Sequence, residues 1–124
     1  MNDKLAPFSG EKYLNLRTYR KSGEAVPTPV WFVQEEDALY VRTGAQSGKV
    51  RRLTRSPRVD VAPCDYSGKL HAEWQVAEAH VVQGEVAARV NQLLRRKYGL
   101  QKRLADLLGF MGPDQTATVE IQLN

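Results

Sequence analysis

Two short stretches carry the residue types from which a ligand site could be built, and neither contains a nucleophile. The first is Thr28-Pro29-Val30-Trp31-Phe32, with a further proline at Pro27. In a strand, residues i and i+2 turn their N–H groups toward the same edge, so this proline pair deletes two donors from one side of a ladder. Such an edge is either an outer strand protected against aggregation or a place where a flat ligand lies instead of a neighbouring strand. The second stretch is Arg42-Thr43 followed by Ser47-Gly48-Lys49-Val50-Arg51-Arg52-Leu53. The free N–H groups of a first helical turn, the helix dipole, the Ser47 hydroxyl and Lys49 together can hold an anion, and Gly48 lets a ligand approach the backbone. Ordinary N-capping explains Ser47 as well. Positions 42 to 58 hold Arg42, Lys49, Arg51, Arg52, Arg55 and Arg58 without a single acid, more charge than a cap requires.

Other chemistries find less support. His71 and His80 are nine apart on an expected strand and so on opposite faces, which does not suit a shared metal. Cys64, the one cysteine, excludes an internal disulfide and a cysteine-based zinc site, and after Pro63 it reads as a small buried side chain. With no nucleophile or acid–base set in view, no catalytic residue is assigned. The pattern suits a reaction whose chemistry is carried by a cofactor, for which the protein supplies binding and orientation. Aromatic residues are not interleaved among the basic ones of 49 to 58, which disfavours a stacking platform for single-stranded nucleic acid.

The elements that must position these residues follow from periodicity. Residues 13–19 alternate, with Leu14, Leu16 and Thr18 facing one way, and predict a strand. Lys21-Ser22-Gly23-Glu24 is a turn, and 25–33 resumes extended structure with Val26, Val30 and Phe32 on a common side. A third strand over 39–43 follows the polar turn Glu35-Glu36-Asp37, completing an antiparallel meander. A short helix is expected over 48–55, ended by Pro57, and a strand over 58–64. Residues 71–82 predict a long strand whose apolar parity shifts between Trp74-Val76 and Ala77-Ala79-Val81, as a β-bulge or burial on both sides would cause. Helical spacing runs from Glu85 to Tyr98 and again over 100–108, and 116–123 alternates as a last strand. Six strands and about three helices fit a small antiparallel barrel carrying helices at its side.

At 124 residues the chain reads as a single domain spanning 1–124, without repeats or low-complexity segments. A hydrophobic share of 42% and a charged share of 26% fit an ordinary globular protein. There is no apolar run of signal-peptide or membrane-spanning length, so a cytoplasmic protein without a membrane partner is expected.

In combination, the two stretches with Tyr40-Val41-Arg42-Thr43, Ser56-Pro57-Arg58-Val59 and Ala62-Pro63-Cys64-Asp65 resemble the split-barrel family of pyridoxamine-phosphate-oxidase-related flavoproteins. More narrowly they resemble its small members that use the deazaflavin coenzyme F420, over roughly residues 8 to 123. The resemblance implies a mainly β (α+β) fold, a six-stranded antiparallel split β-barrel like FMN-binding proteins, with flanking helices. It implies a homodimer with the cofactor in a groove at the interface, and hydride transfer from reduced F420 to a small unsaturated or conjugated substrate. The ring would rest on Pro29, Val30 and Trp31; Thr43, Ser47 and Lys49 would take the phosphate, with Arg42 just before the helix. Arg51 and Arg52, with Arg55, are possible partners for further anionic groups, and Trp74 would come from the other protomer. FMN is the alternative cofactor. A carrier that binds the cofactor without turnover, and a nucleic-acid module whose affinity falls steeply with salt, are the competing functions.

Overall fold

Alternation makes the first strand two-faced. Leu14, Leu16 and Thr18 are wholly buried on one side, while Tyr13, Arg17 and Tyr19 are half-exposed on the other. The computed structural model describes residues 3–98 and 116–124. After a short 3-10 helix over Asp3–Phe8, not expected from the sequence, come β1 (Tyr13–Tyr19), β2 (Ala25–Glu35), β3 (Ala38–Gly44), α1 (Gly48–Arg55), β4 (Arg58–Cys64), β5 (Gln75–Val82), α2 (Glu85–Tyr98) and β6 (Thr116–Leu123). The expected helix over 100–108 lies outside the described residues.

The strands close into an antiparallel barrel in the order β1-β2-β3-β6-β5-β4, so the mainly β split-barrel expectation holds. Its interior is filled by Leu14, Leu16, Phe32, Leu39, Val41, Val59, Val61, Ala77, Ala79, Val119 and Ile121, and is closed by Leu5, Phe8 and Leu53. Each large side chain so buried stabilises by about 1.5–3 kcal/mol over exposure. The β1–β2 turn needs a left-handed residue and has Gly23 at φ 91°. A second apolar layer lies outside the barrel. There α2 lays Val90, Leu94 and Tyr98 on Val33, Ala38 and Tyr40, the outward residues of β2 and β3.

One expected strand is shorter than its sequence pattern. β5 begins at Gln75, and its register runs unbroken from Val61↔Gln75 to Arg58↔Glu78 on one side and along β6 on the other. The parity shift therefore reflects no bulge: Trp74 and His71 precede the strand. The reason is local pairing, because the His71 N–H donates to Pro63 O (2.8 Å) and its ring Nδ1 sits 2.7 Å from Glu11. Leu70 bridges to Cys64, and Asn15 Nδ2 donates to Gly68 O at 3.1 Å. The connection thus folds back over β4 and β1, which explains why Asn15, Asp60, Ala62 and Cys64 are buried on the outward face.

Candidate functional site

The barrel is split between β2 and β3. β2 pairs with β1 from Ala25 to Trp31, but with β3 only from Phe32↔Val41 to Glu35↔Ala38. β3 runs on through Arg42, Thr43 and Gly44 still paired with β6 but no longer with β2, so among the described residues β2 has no neighbour on that side. The open edge is the one the prolines weaken. At the end of the β1–β2 ladder the Tyr98 hydroxyl meets Phe32 N (3.0 Å), Phe32 O (2.9 Å) and Lys12 O (2.6 Å). The polar groups of Phe32 thus face β1, and those of Pro27, Pro29 and Trp31, one residue out of phase, face the opening. Pro27 and Pro29 offer only carbonyls there. Val30 turns inward against the barrel core, and the Trp31 indole stacks on Tyr98 (centroids 4.6 Å apart, planes at 16°). What the opening presents from this strand is therefore mainly backbone.

The other lip leads from Thr43 and Gly44 into α1. Ser47 is an N-cap in extended conformation whose Oγ accepts from Val50 N at 3.3 Å, so the capping role holds. Half-buried Lys49 forms no ion pair with any described residue, and burial, then Arg52, pushes its ammonium below the ordinary lysine range. Arg51 is exposed, whereas Arg52 folds back so that Nε donates to Thr18 Oγ1 (2.6 Å) at the barrel end. A Cβ at Gly48 would lie 2.6 Å from Arg52 Nη1, so this glycine makes room for the guanidinium. Burial, followed by Arg20 and Arg55, lowers the Arg52 pKa as well. The start of α1 is a concentration of positive charge with no acid in the helix.

Two expected site residues lie elsewhere within the chain. Arg42 shares the outward parity of Tyr40 and reaches under α2, where Nε donates to Thr116 Oγ1 (2.8 Å) and Nη1 to Asn91 Oδ1. Trp74 lies beneath Arg17, 4.0 Å from guanidinium to ring centroid, on the β4 side of β1 and away from the open edge. Arg17 Nε in turn donates to Asp60 Oδ2 at 3.0 Å, and the Tyr19 hydroxyl donates to the same oxygen. Sequence reasoning missed Tyr98, which seals the ladder end and stacks on Trp31. It also missed Asn91, which holds Arg42. The available signal was that Tyr98 ends a helix whose apolar stripe must cover β2 and β3. Among the described residues no three His, Cys, Asp or Glu side chains gather as a metal site, and no helix is long and apolar enough to cross a membrane.

No family model matches the sequence, and no curated protein does. Solved structures do match. The heme storage protein HutZ of Vibrio cholerae aligns with a TM-score of 0.73 at 18% identity, over 93% of this chain and 83% of that one. A Listeria innocua protein assigned as a pyridoxamine 5′-phosphate oxidase aligns at 0.71 and 14% identity, over 98% and 90%. The fold is the pyridoxamine-phosphate-oxidase-like split barrel. An F420 reductase of the same split-barrel shape aligns at 0.66 and 15% identity, over 100% of this chain and 95% of that one. At such identities the likeness concerns the barrel and its connections, and the side chains at the split are this chain's own.

Proposed function

We propose that the split barrel is an F420-dependent oxidoreductase acting on a small unsaturated or conjugated compound. The observation that carries the reading is the open β2 edge from Ala25 to Trp31, facing a lip that leads directly into the cationic start of α1. These residues fit a long, flat, phosphorylated group. The carbonyls of Pro27 and Pro29 and the Trp31 N–H would meet the ring edge, Val30, turned into the core, would hold the strand in place behind them, and Thr43, Ser47 and Lys49 would hold the phosphate. Arg51 would meet further negative charge on the cofactor's tail. Arg52 supports this group indirectly, since Thr18 already takes its Nε. When bound in reduced form, F420 supplies a hydride; the chain's own residues bind, orient and keep water from the ring. A second copy of the chain would complete the groove and is where Trp74 would act.

A second reading, FMN in the same place, is favoured by one observation. Arg52 and Arg55 are committed to Thr18 Oγ1 and to Tyr19 O (3.4 Å), which shortens the available basic strip to Lys49 and Arg51 and suits one compact phosphate. The likeness to an F420 reductase supports the first reading, and the likeness to a heme storage protein keeps a binding role without turnover as its competitor. Fluorescence titration of the purified protein with F420 and with FMN decides between them: saturable F420 binding supports the proposal, FMN binding alone moves it to a flavin enzyme, and binding of neither refutes the cradle. Lys49→Ala should weaken cofactor binding roughly tenfold or more with little change in melting temperature, as loss of one charge-assisted contact predicts. A large stability loss with unaltered affinity would return Lys49 to a structural role.

A further inference from the structure

Under α2, and reaching as far as the first turn of α1, lies a cavity of about 650 Å³, within the range of small-molecule sites. Its walls are small and apolar, from Ala45, Val50, Val81, Ala87, Ala88 and Ala117, and its polar end is Arg42 with Asn91 and Thr116. That polar end is unbalanced. Nε and one Nη1 hydrogen of Arg42 go to neutral oxygens of Thr116 and Asn91, leaving the other three of the guanidinium's five donors without a described acceptor. Among the described residues no carboxylate pairs with Arg42 or with Arg95, whose charge acts on it. Burial first, and Arg95 second, lower its pKa, the direction expected of a cation short of a counter-charge.

We infer that this cavity binds a small organic carboxylate, its head on the free Nη edge of Arg42 and its apolar body against Val50, Val81 and Ala88. A guanidinium whose orientation is already fixed through Nε and Nη1 presents a planar pair of donors, which matches a carboxylate. A cavity with one such cation and otherwise neutral, largely apolar walls suits a monoanion with an apolar body better than a hydrophilic dianion such as phosphate. Its cation is not one the cofactor reading uses, because Arg42 faces α2, although Ala45 and Val50 in its wall adjoin the lip that carries Ser47 and Lys49.

The test is amide chemical-shift titration of the isotope-labelled full chain with benzoate, benzamide and inorganic phosphate. Benzoate should shift Val50, Val81, Gly84 and Ala88 and saturate by about 10 mM, with benzamide and phosphate at least tenfold weaker. Arg42→Gln should lower benzoate affinity at least about tenfold. Should that variant unfold, Ala88→Phe, which fills the cavity and leaves Arg42 in place, should abolish the shifts. Equal binding of benzoate and benzamide, no saturation, full affinity in Ala88→Phe, or displacement of benzoate by F420 or FMN would each overturn the inference.

Discussion

Tyr98→Phe removes one oxygen atom at a place where the structure allows its cost to be worked out. The hydroxyl carries one proton and two lone pairs, so it accepts from the Phe32 N–H at 3.0 Å and donates to one carbonyl. Lys12 O at 2.6 Å is closer than Phe32 O at 2.9 Å, and Phe32 O has a second donor in Lys97 Nζ, also at 2.9 Å. After the substitution Phe32 O keeps a partner and Lys12, an exposed residue, turns to water. The Phe32 N–H is stranded, in a residue only 1% exposed. One buried orphan donor plus one lost bond amounts to about 2–3 kcal/mol. For a domain of this size that is on the order of 10 °C in Tm. Urea unfolding should show the loss as a lower midpoint with an unchanged m-value. The ring still stacks on Trp31, so Tyr98→Leu should cost a further ~1 kcal/mol. A Tyr98→Phe loss below about 0.5 kcal/mol, the scatter of neutral surface changes, would refute the idea that this hydroxyl seals the ladder beside the split.

Three further outcomes follow from the same geometry. Arg17→Met should cost about 2–3 kcal/mol by urea unfolding, because Asp60, 2% exposed, loses its direct 3.0 Å partner; Arg58→Met, an exposed partner at 3.6 Å, should cost under about 1 kcal/mol, and the reverse order would contradict the network. Burial, with Asp65 second, pushes the Cys64 thiol up to about 11, so an aromatic disulfide reagent at pH 8 should label the native protein at least about a hundredfold more slowly than the urea-unfolded chain; comparable rates would place Cys64 at the surface. Burial pushes the Lys97 ammonium down to about 8 from an ordinary 10.5, with Glu11 opposing. Above pH 8 the unfolded chain therefore binds more protons at this site, and stability rises with pH until Cys64, shifted the other way, offsets it above about pH 9. Thermal melts between pH 8 and 9 should show a rise in Tm that shrinks in Lys97→Met, and identical slopes in the two proteins would rule this out.

Much of this was legible in the sequence because local rules and global fold agree. Alternation located every described strand, and Ser47 and Pro57 bounded α1. The proline pair marked a strand that, among the described residues, lacks a partner on one side from Ala25 to Trp31. What could not be read depends on contacts distant along the chain. The pattern of 71–82 looked continuous because Trp74 is apolar, yet Pro63, Glu11 and Arg17 hold 71–74 outside the strand. Charge counting grouped Arg42 and Arg52 with Lys49. Strand parity sends Arg42 under α2, and helical geometry sends Arg52 back to Thr18, so residues close in sequence serve three separate surroundings.

The two explanations of Pro27 and Pro29, protection and ligand binding, rest on the same physical feature. β3 pairs with β6 along its whole length but with β2 only as far as Val41, so among the described residues seven of β2, Ala25 to Trp31, have no ladder on that side. An ordinary strand there would present alternating donors and acceptors, a template for any second strand. With prolines at 27 and 29 the edge presents only carbonyls between Ala25 and Trp31, and a strand cannot pair fully with that in register. A ring offering its own donor along one side can. On the proposed reading, the same deletion that keeps the opening from being filled by another strand would favour an aromatic heterocycle, and a charged tail on such a ring would find its anchor at the start of α1, where Lys49 forms no ion pair with the described residues.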